Sequence, residues 1–189
     1  MTPVILHLLR HGAPETAGRM IGHSDIPSTA AGIESCRAQA LNLDIDHIVS
    51  SDLRRAQHAA TAIAGDRALP VAVDPRWREL NFGDWDGLSS QDIDAATLGA
   101  FWDDPDENPP PRGERWSALV DRVAAALADL APKNTLVVTH GGAMRAALGV
   151  LCGFDQRRSW AFALPYSARL SFQIWPGSPQ TAQIVALHS

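Results

Sequence analysis

Four segments of the 189-residue chain carry arginine, histidine or glutamate shortly after a run of apolar residues. They read LLRHG (residues 8–12), SSDLRR (50–55), RELNFG (78–83) and VVTHGG (137–142). If the apolar runs are parallel strands, their polar ends meet at the carboxyl edge of one sheet, where open α/β sheets bind ligands. The combined set of two histidines, two arginines and one carboxylate suits a phosphate monoester, which carries about −1.5 to −2 charges at neutral pH.

Each residue type in this set has a chemical reason to be there. A neutral imidazole such as His11 is a competent nucleophile at pH 7, whereas serine needs an activating base. Arg10 and Arg55 can bind phosphate oxygens through paired hydrogen bonds. A helix that starts at Gly141 could donate backbone N–H groups to the same anion. Gly12 is predicted to let the backbone approach the bound group.

Each of these residues also has an ordinary explanation when it is taken alone. Arg55 could be a solvated helix residue, and His140 could be a capping or core histidine. Glu79 could be the ion-pair partner of a neighbouring arginine, Arg76 or Arg78. The functional interpretation depends on all four segments occurring in order at four successive strand ends. His7 lies inside an apolar run and is predicted to be an ordinary core histidine.

The elements that must position these residues alternate along the chain. Strands are predicted over residues 4–9, 46–51, 69–74, 134–139, 169–175 and 180–187, and helices over 29–43, 52–66, 114–130 and after a Gly-Gly turn at 141–142. Apolar strands that alternate with helices predict an α/β fold with a mostly parallel central sheet and helices on both faces.

The middle of the chain is less regular. Short helical pieces over residues 89–95 and 96–103 precede a proline-rich stretch, DPDENPPPRGE (104–114). This stretch could be an interdomain linker, but the flanking pieces are too short to form separate domains. We therefore predict a single domain over residues 1–189, with a small helical lid inserted at about residues 85–115.

Composition excludes several classes of function. The chain is 46% hydrophobic and 20% charged with a net charge of −5, which argues against nucleic-acid or membrane-surface partners. Cys36 and Cys152 form neither a disulfide framework nor a metal motif, and His11 and His140 lack metal-ligand spacing. No G-x-S-x-G or phosphate-loop motif occurs. We expect neither a metal nor a cofactor. We expect a cytoplasmic setting because no leader or membrane span is evident. A homodimer is one of the oligomeric states that the sequence allows.

The ordered motifs resemble the histidine phosphatase superfamily, whose best-known branch is the cofactor-dependent phosphoglycerate mutases. LLRHG resembles its nucleophile motif, SSDLRRAQHAA its phosphate-arginine motif, RELNFGDWDG its acid motif, PPRGERW its Pro-x-Gly-Glu segment and VVTHGGAMRA its second-histidine motif. The resemblance implies a phosphoglycerate mutase-like fold with His11 as the phosphorylated nucleophile. It implies that Arg10, Arg55 and His140 bind the phosphoryl group and that Glu79 is the proton donor.

Three functions are compatible with these motifs. Hydrolysis of a small phosphorylated metabolite is favoured, because mutases that resemble this pattern are longer and hold the phosphohistidine away from water. The arrangement RHGxPE…GR…G…D…P is similar to that of α-ribazole phosphatases of cobalamin biosynthesis, and a phosphatase of broad specificity is the other interpretation. Mutase-type phosphoryl transfer and a non-catalytic phosphate-binding module are the alternatives.

Overall fold

A six-stranded sheet forms the centre of the computed structural model, which describes residues 2–175, 177 and 181–189. Its strands are β1 (Val4–Arg10), β2 (His47–Ser50), β3 (Val71–Val73), β4 (Thr135–Thr139), β5 (Arg169–Trp175) and β6 (Thr181–His188). The helices are α1 (Ala30–Ala40), α2 (Arg54–Arg67), α3 (Ala95–Asp103), α4 (Trp116–Ala128), α5 (Gly141–Cys152) and α6 (Gln156–Ser159).

The strand order is β3-β2-β4-β1-β5-β6, and this order decides which chain segments meet. The pairs β1–β4, β2–β4 and β2–β3 are parallel, so four carboxyl ends lie at one edge as predicted. β5 runs antiparallel to β1, and β6 antiparallel to β5. In the central pair Arg10 lies opposite Thr139, so the residues that follow, His11 and His140, leave the sheet side by side.

Alternate side chains of the apolar strands fill two separate cores. Leu8 and Val137 belong to the core that contains residues of α4 and α5. Leu9 and Val138 belong to the core that contains residues of α1 and α2. The prediction of helices on both faces of a mostly parallel sheet is therefore confirmed, and it explains why these strands are continuous apolar runs.

Local signals account for several element ends. Thr29 caps α1 by accepting a hydrogen bond from the Gly32 N–H (3.0 Å), as expected of a threonine before a helix. At the other end of α5, Gly153 adopts a left-handed conformation (φ 73°) that closes the helix. The prediction of a Gly-Gly turn was wrong, because Gly141 and Gly142 form the first turn of α5 itself and His140 is its N-cap.

The region predicted as a lid contains one helix, α3, and short 3-10 turns at Gly83–Trp85 and Ser90–Asp92. Trp85 is buried and packs edge-on against Phe101 of α3, with 5.5 Å between ring centroids. The predicted sixth strand begins at Gln180, which lies outside the described residues. His7 is the expected core histidine: it is buried and its Nδ1 lies 2.8 Å from the Ser171 hydroxyl.

Candidate active site

The two histidines after β1 and β4 lie in contact at the carboxyl edge of the sheet. The ring centroids of His11 and His140 are 5.0 Å apart, with the planes inclined at 59°. His11 is also 5.5 Å from the ring of Tyr166, the only tyrosine in the chain. The parallel pairing of β1 with β4 is what brings these residues together from 129 positions apart (140 − 11).

The protonation state of His11 follows from a single hydrogen bond. Its Nδ1 lies 2.7 Å from the Gly12 carbonyl oxygen, and a carbonyl can only accept, so the ring proton is on Nδ1. The other ring nitrogen, Nε2, therefore carries the lone pair. Burial, with Arg55 as the next contribution, lowers the pKa of His11 well below its usual value. His11 is thus a neutral imidazole with a basic nitrogen at pH 7.

His140 is fully buried, and both of its ring nitrogens are engaged. Arginine can only donate, so the bond from Arg55 Nε to His140 Nδ1 (3.2 Å) identifies Nδ1 as the acceptor. Nε2 then carries the proton and donates to the Ser51 hydroxyl at 2.9 Å. Burial and the nearby Arg55 charge lower the pKa of His140, so this imidazole is also neutral.

Arg55 is fully buried directly behind the two histidines, so the solvated-helix alternative is wrong. Its guanidinium donates to the carbonyl oxygens of Ser24 (2.8 Å) and Gly22 (2.5 Å). The same loop is held from the other side by the Asp86 carboxylate, which accepts the N–H groups of residues 22–24 at 2.8–3.0 Å. Asp86 and Arg55 therefore fix the loop and the arginine relative to each other.

Glu79 reaches the site from the loop after β3 and lies at the start of α5. Its carboxylate accepts the Gly142 N–H (2.9 Å to Oε1, 3.2 Å to Oε2) and the Leu80 N–H (2.9 Å). A Cβ on Gly142 would lie 2.1 Å from Glu79 Oε1, so only glycine leaves room for the carboxylate. The free N–H groups and positive end of a helix favour a carboxylate at this position.

The ion-pair alternative for Glu79 is wrong because its neighbouring arginines have other partners. Arg78 binds the Asp52 carboxylate through two hydrogen bonds of 2.7 and 2.5 Å. Arg76 pairs with Asp74 (2.8 Å) and with Asp129 (2.7 Å). The helix terminus, and not a salt bridge, therefore holds the carboxylate of Glu79.

A half-buried ion pair supports the backbone that carries Glu79. Arg122 of α4 pairs with Glu114 at 2.7 Å, in the segment that resembles the Pro-x-Gly-Glu motif. The same guanidinium donates to three backbone carbonyls, those of Arg76, Arg78 and Glu79, at 2.7–2.8 Å. This network holds the loop after β3 against α4.

Arg10 lies beside His11 with part of its guanidinium uncommitted. Nη1 donates to the Leu164 carbonyl at 2.6 Å, and Cζ lies 4.3 Å from the centroid of the Tyr166 ring. Its buried Nε has no acceptor among the residues that the structure describes. Arg10 can therefore offer at least one further hydrogen bond to an anion next to His11.

Gly12 is needed for packing inside the protein. A Cβ at this position would lie 2.1 Å from the carbonyl oxygen of Gly32 in α1. The glycine therefore permits close packing of the β1 end against α1, and it is not among the residues that line the cavity over His11. Clearance for a ligand at Gly12 stays a prediction.

A cavity of about 260 Å³ opens over His11. Its polar end contains Arg10, His11, Glu79 and Gly141. Its aromatic lining consists of Phe82, Phe101, Trp102, Trp116 and Trp160, and the exposed Trp102 and Trp160 mark its aromatic mouth. Phe101 and Trp102 come from α3 in the predicted lid region, so this segment does border the site. Arg55 and His140 do not line the cavity but lie behind His11.

The cavity residues that the sequence analysis missed include Arg145, Trp160 and Tyr166. Arg145 stands four residues after Gly141 on α5, and this i,i+4 spacing was the signal that could have placed it on the same helix face. Trp160 follows α6, a four-residue helix with no clear periodic pattern. The Arg145 guanidinium lies 3.9 Å from the centroid of the Trp160 ring.

Within the described ranges, no group of three or more His, Cys, Asp or Glu side chains has the geometry to hold a metal ion. In the same part of the chain, none of the helices has the length and apolar character needed to cross a membrane.

Sheet order, paired histidines and a helix-bound glutamate define a phosphoglycerate mutase-like α/β protein. The chain belongs to the histidine phosphatase superfamily (branch 1), whose family model matches residues 6–186. It is 34% identical over 171 residues to the adenosylcobalamin/alpha-ribazole phosphatase of Escherichia coli strain K12, covering 83% of each chain. It is 34% identical over 166 residues to the glucosyl-3-phosphoglycerate phosphatase of Mycolicibacterium vanbaalenii, covering 78% of this chain and 74% of that protein.

Among solved structures, the alpha-ribazole phosphatase from Shigella flexneri matches with a TM-score of 0.84 at 30% identity, covering 98% of this chain and 96% of that one. The family resemblance and the fold class expected from the sequence are therefore confirmed.

Proposed function

We propose that this protein is a phosphomonoesterase that acts through a phosphohistidine at His11 on a small phosphorylated metabolite. The observation that carries the proposal is the tautomer of His11. The Gly12 carbonyl holds the proton on Nδ1, and burial keeps the ring neutral, so Nε2 is a nucleophile in a cavity that also contains Arg10. The family match and the phosphatase relatives support this assignment.

In the proposed first step, His11 Nε2 attacks phosphorus in line with the ester oxygen. The P–N bond forms as the P–O bond breaks, and the departing alkoxide takes a proton from Glu79, which receives that proton from the monoanionic ester on binding. Arg10 and the Gly141 backbone stabilise the charge on the equatorial oxygens. In the second step, Glu79 takes a proton from water, which attacks phosphorus and releases inorganic phosphate and neutral His11.

The resemblance also implies phosphoryl binding by Arg55 and His140. Both side chains are fully buried behind His11, and Arg55 contributes to the lowered pKa of His11. We propose that Arg55 keeps the nucleophile neutral and adds positive potential under the phosphoryl group. His140 would then hold Arg55 and Ser51 in place through the two hydrogen bonds already described.

The substrate that we propose is α-ribazole 5'-phosphate. The names of the Escherichia coli and Shigella flexneri relatives support it, and so does the aromatic mouth of the cavity, which could contact a flat base. The length of the chain, 189 residues, and the 83% coverage of a phosphatase relative favour hydrolysis over mutase-type transfer. A cytoplasmic location and a homodimer stay predictions, and sedimentation velocity would test the second.

Rapid acid quench tests the mechanism. Enzyme mixed with ³²P-labelled α-ribazole 5'-phosphate is expected to retain an acid-labile label that His11→Ala abolishes. The matched control is His58→Ala, since His58 is exposed on α2. Activity is expected to persist in a chelator. Turnover without label, or loss of activity in the chelator, would contradict the proposal, and absence of both label and turnover would indicate a binding module.

A substrate panel tests the assignment of α-ribazole 5'-phosphate. We expect its kcat/KM to exceed those of 3-phosphoglycerate and ribose 5-phosphate. Transfer of the label to an acceptor sugar acid instead of water would identify a mutase. Similar kcat/KM values for all three esters would indicate a phosphatase of broad specificity and would overturn the α-ribazole assignment.

A further inference from the structure

Arg145 is a buried cation with few partners of its own. It is 8% exposed, yet within the described part of the chain its only acceptors form long hydrogen bonds: the Gly141 carbonyl at 3.3 Å and the Phe162 carbonyl at 3.4 Å. Its Nε has no acceptor among the described residues. Burial lowers its pKa to about 10, so the side chain is still charged at neutral pH. A buried guanidinium has five donors to satisfy, and leaving them unpaired is costly.

Two other arginines of the site, Arg55 and Arg122, show what full pairing looks like. Arg55 donates to three backbone carbonyls and to His140. Arg122 binds the Glu114 carboxylate and three backbone carbonyls. Both are bound entirely within the protein, whereas Arg145 faces the cavity. The uncommitted donors of Arg145 are therefore available to a ligand.

Arg145 borders the same part of the cavity as Arg10 and continues towards its mouth. Its Nη1 and the Arg10 guanidinium each lie 3.5 Å from the point that a Cβ on Gly141 would occupy. Arg10 is the neighbour of His11 in the chain, whereas Arg145 stacks on Trp160, which is exposed at the aromatic mouth. Arg145 therefore extends from Gly141 towards the mouth, where the leaving group of an ester would lie.

We infer that Arg145, held against Trp160, is a substrate-binding residue that donates hydrogen bonds to an oxygen acceptor on the leaving group. The inference rests on the proposed function, because it assumes that an ester is bound with its phosphorus next to His11. Arg145 thereby selects phosphate esters whose alcohol carries hydroxyl, ring or carboxylate oxygens near the ester bond. Esters of purely hydrocarbon alcohols lack this contact.

Two esters with different leaving groups test the inference. Ribose 5-phosphate carries oxygen acceptors on the leaving group, and phenyl phosphate carries none beyond the ester oxygen. A hydrogen bond to a charged group contributes about 1.5–3 kcal/mol, which corresponds to about 10- to 100-fold. We expect Arg145→Met to lower kcat/KM for ribose 5-phosphate by about 10- to 100-fold. This loss should be at least about ten times larger than the loss for phenyl phosphate. Arg145→Lys should recover part of the loss, since it keeps the charge but not the planar fork.

The control is Arg157→Met on α6, because Arg157 is exposed near Trp160 and is not among the residues that line the cavity. It should leave both esters unaffected. Equal losses for the two esters in Arg145→Met, or a weaker inhibition by inorganic phosphate, would place Arg145 in the phosphoryl site and overturn the inference. An Arg145→Met enzyme with unchanged kcat/KM for both esters would also overturn the inference. So would a wild-type enzyme that hydrolyses phenyl phosphate but not ribose 5-phosphate.

A failure of the inference about Arg145 can be distinguished from a failure of the proposed function. The acid-labile label on His11 depends on the phosphoryl group alone and can be measured with phenyl phosphate in the wild type. A labelled enzyme with no ester discrimination by Arg145 would refute only the inference. An unlabelled enzyme would refute the phosphohistidine mechanism first. Thermal unfolding of Arg145→Met and Arg145→Lys shows whether each variant is folded, and the lysine variant keeps the test valid if the methionine variant is not.

Discussion

Gly142→Ala separates the position of Glu79 from the stability of the fold. The new Cβ would lie 2.1 Å from Glu79 Oε1, so the carboxylate must leave the N-terminus of α5. It would lose the two contacts to the Gly142 N–H, at 2.9 and 3.2 Å. The other contact of the carboxylate, with the Leu80 N–H at 2.9 Å, comes from the adjacent residue and not from α5.

The two energetic effects of this substitution have opposite signs. Alanine is more favourable than glycine in a helix by about 1 kcal/mol. Loss of a hydrogen bond to a charged group costs about 1.5–3 kcal/mol. The free energy of unfolding should therefore fall by only about 1–2 kcal/mol, and the protein should stay folded. General acid–base catalysis contributes about 10²–10⁴-fold, so activity should fall by at least about 100-fold on an alkyl phosphate.

The assay compares two leaving groups. A p-nitrophenolate leaves without protonation, whereas an alkoxide needs the proton of Glu79. Rapid quench measures the rate at which the phosphoenzyme forms. In Gly142→Ala this rate should therefore fall far more with an alkyl phosphate than with p-nitrophenyl phosphate. The matched control is Gly65→Ala in α2, where a Cβ meets nothing within 4 Å. That variant should be more stable by up to about 1 kcal/mol and fully active.

A folded Gly142→Ala enzyme that forms phosphoenzyme at the wild-type rate from an alkyl phosphate would refute the reasoning. It would show either that Glu79 is not the proton donor or that the helix terminus does not position it. A uniform loss with both leaving groups would instead mean that the substitution disturbs the phosphoryl site.

Two further predictions concern the supports of the site and of the core. Arg122→Met should lower kcat by about 10- to 100-fold and the free energy of unfolding by about 3 kcal/mol, because it frees three carbonyls of residues 76–79 and leaves Glu114 unpaired. Urea unfolding measures the change in stability. If stability falls but kcat is unchanged, the loop is held by other contacts. The folded pKa of His7, about 4, lies below its unfolded value of 6.5, so the unfolded state binds the extra proton between these pH values and His7 by itself should lower stability by at most about 3 kcal/mol as pH decreases from 6.5 to 4. His11 and His140, whose pKa values are also lowered, add to this loss. His7→Asn should therefore reduce the pH dependence without removing it, the exposed-site control His58→Asn should leave it unchanged, and equal slopes in all three proteins would contradict the assignment.

The sequence was sufficient for most elements because their signals are local. β5 was predicted at its observed bounds, and α1 begins after Thr29 as its capping residue indicates. The continuous apolar strands predicted a sheet covered on both faces, since only a strand that is buried on both faces gains from being apolar at every position. The motif order along the chain was enough to identify the family before any distance was known.

Close packing and hydrogen bonds between distant segments could not be predicted from the sequence. Gly12 was assigned to a ligand, but its close neighbour is Gly32 in another element. The Gly-Gly pair was read as a turn, although Gly142 is a helix residue kept small by the carboxylate of Glu79, 63 positions away. No periodic pattern specifies which backbone segment packs on another.

The sequence by itself determined which chemical groups are available: the imidazoles, the guanidiniums, the carboxylate and their order at successive strand ends. Only the tertiary structure decided their states. The Gly12 carbonyl sets the tautomer of His11, and burial sets its charge. Backbone carbonyls bind Arg55 fully, whereas the Nε of Arg145 has no acceptor among the residues that the structure describes. Residue type defines what a group can donate or accept, but its charge and partners depend on desolvation and on neighbours that folding brings from elsewhere in the chain.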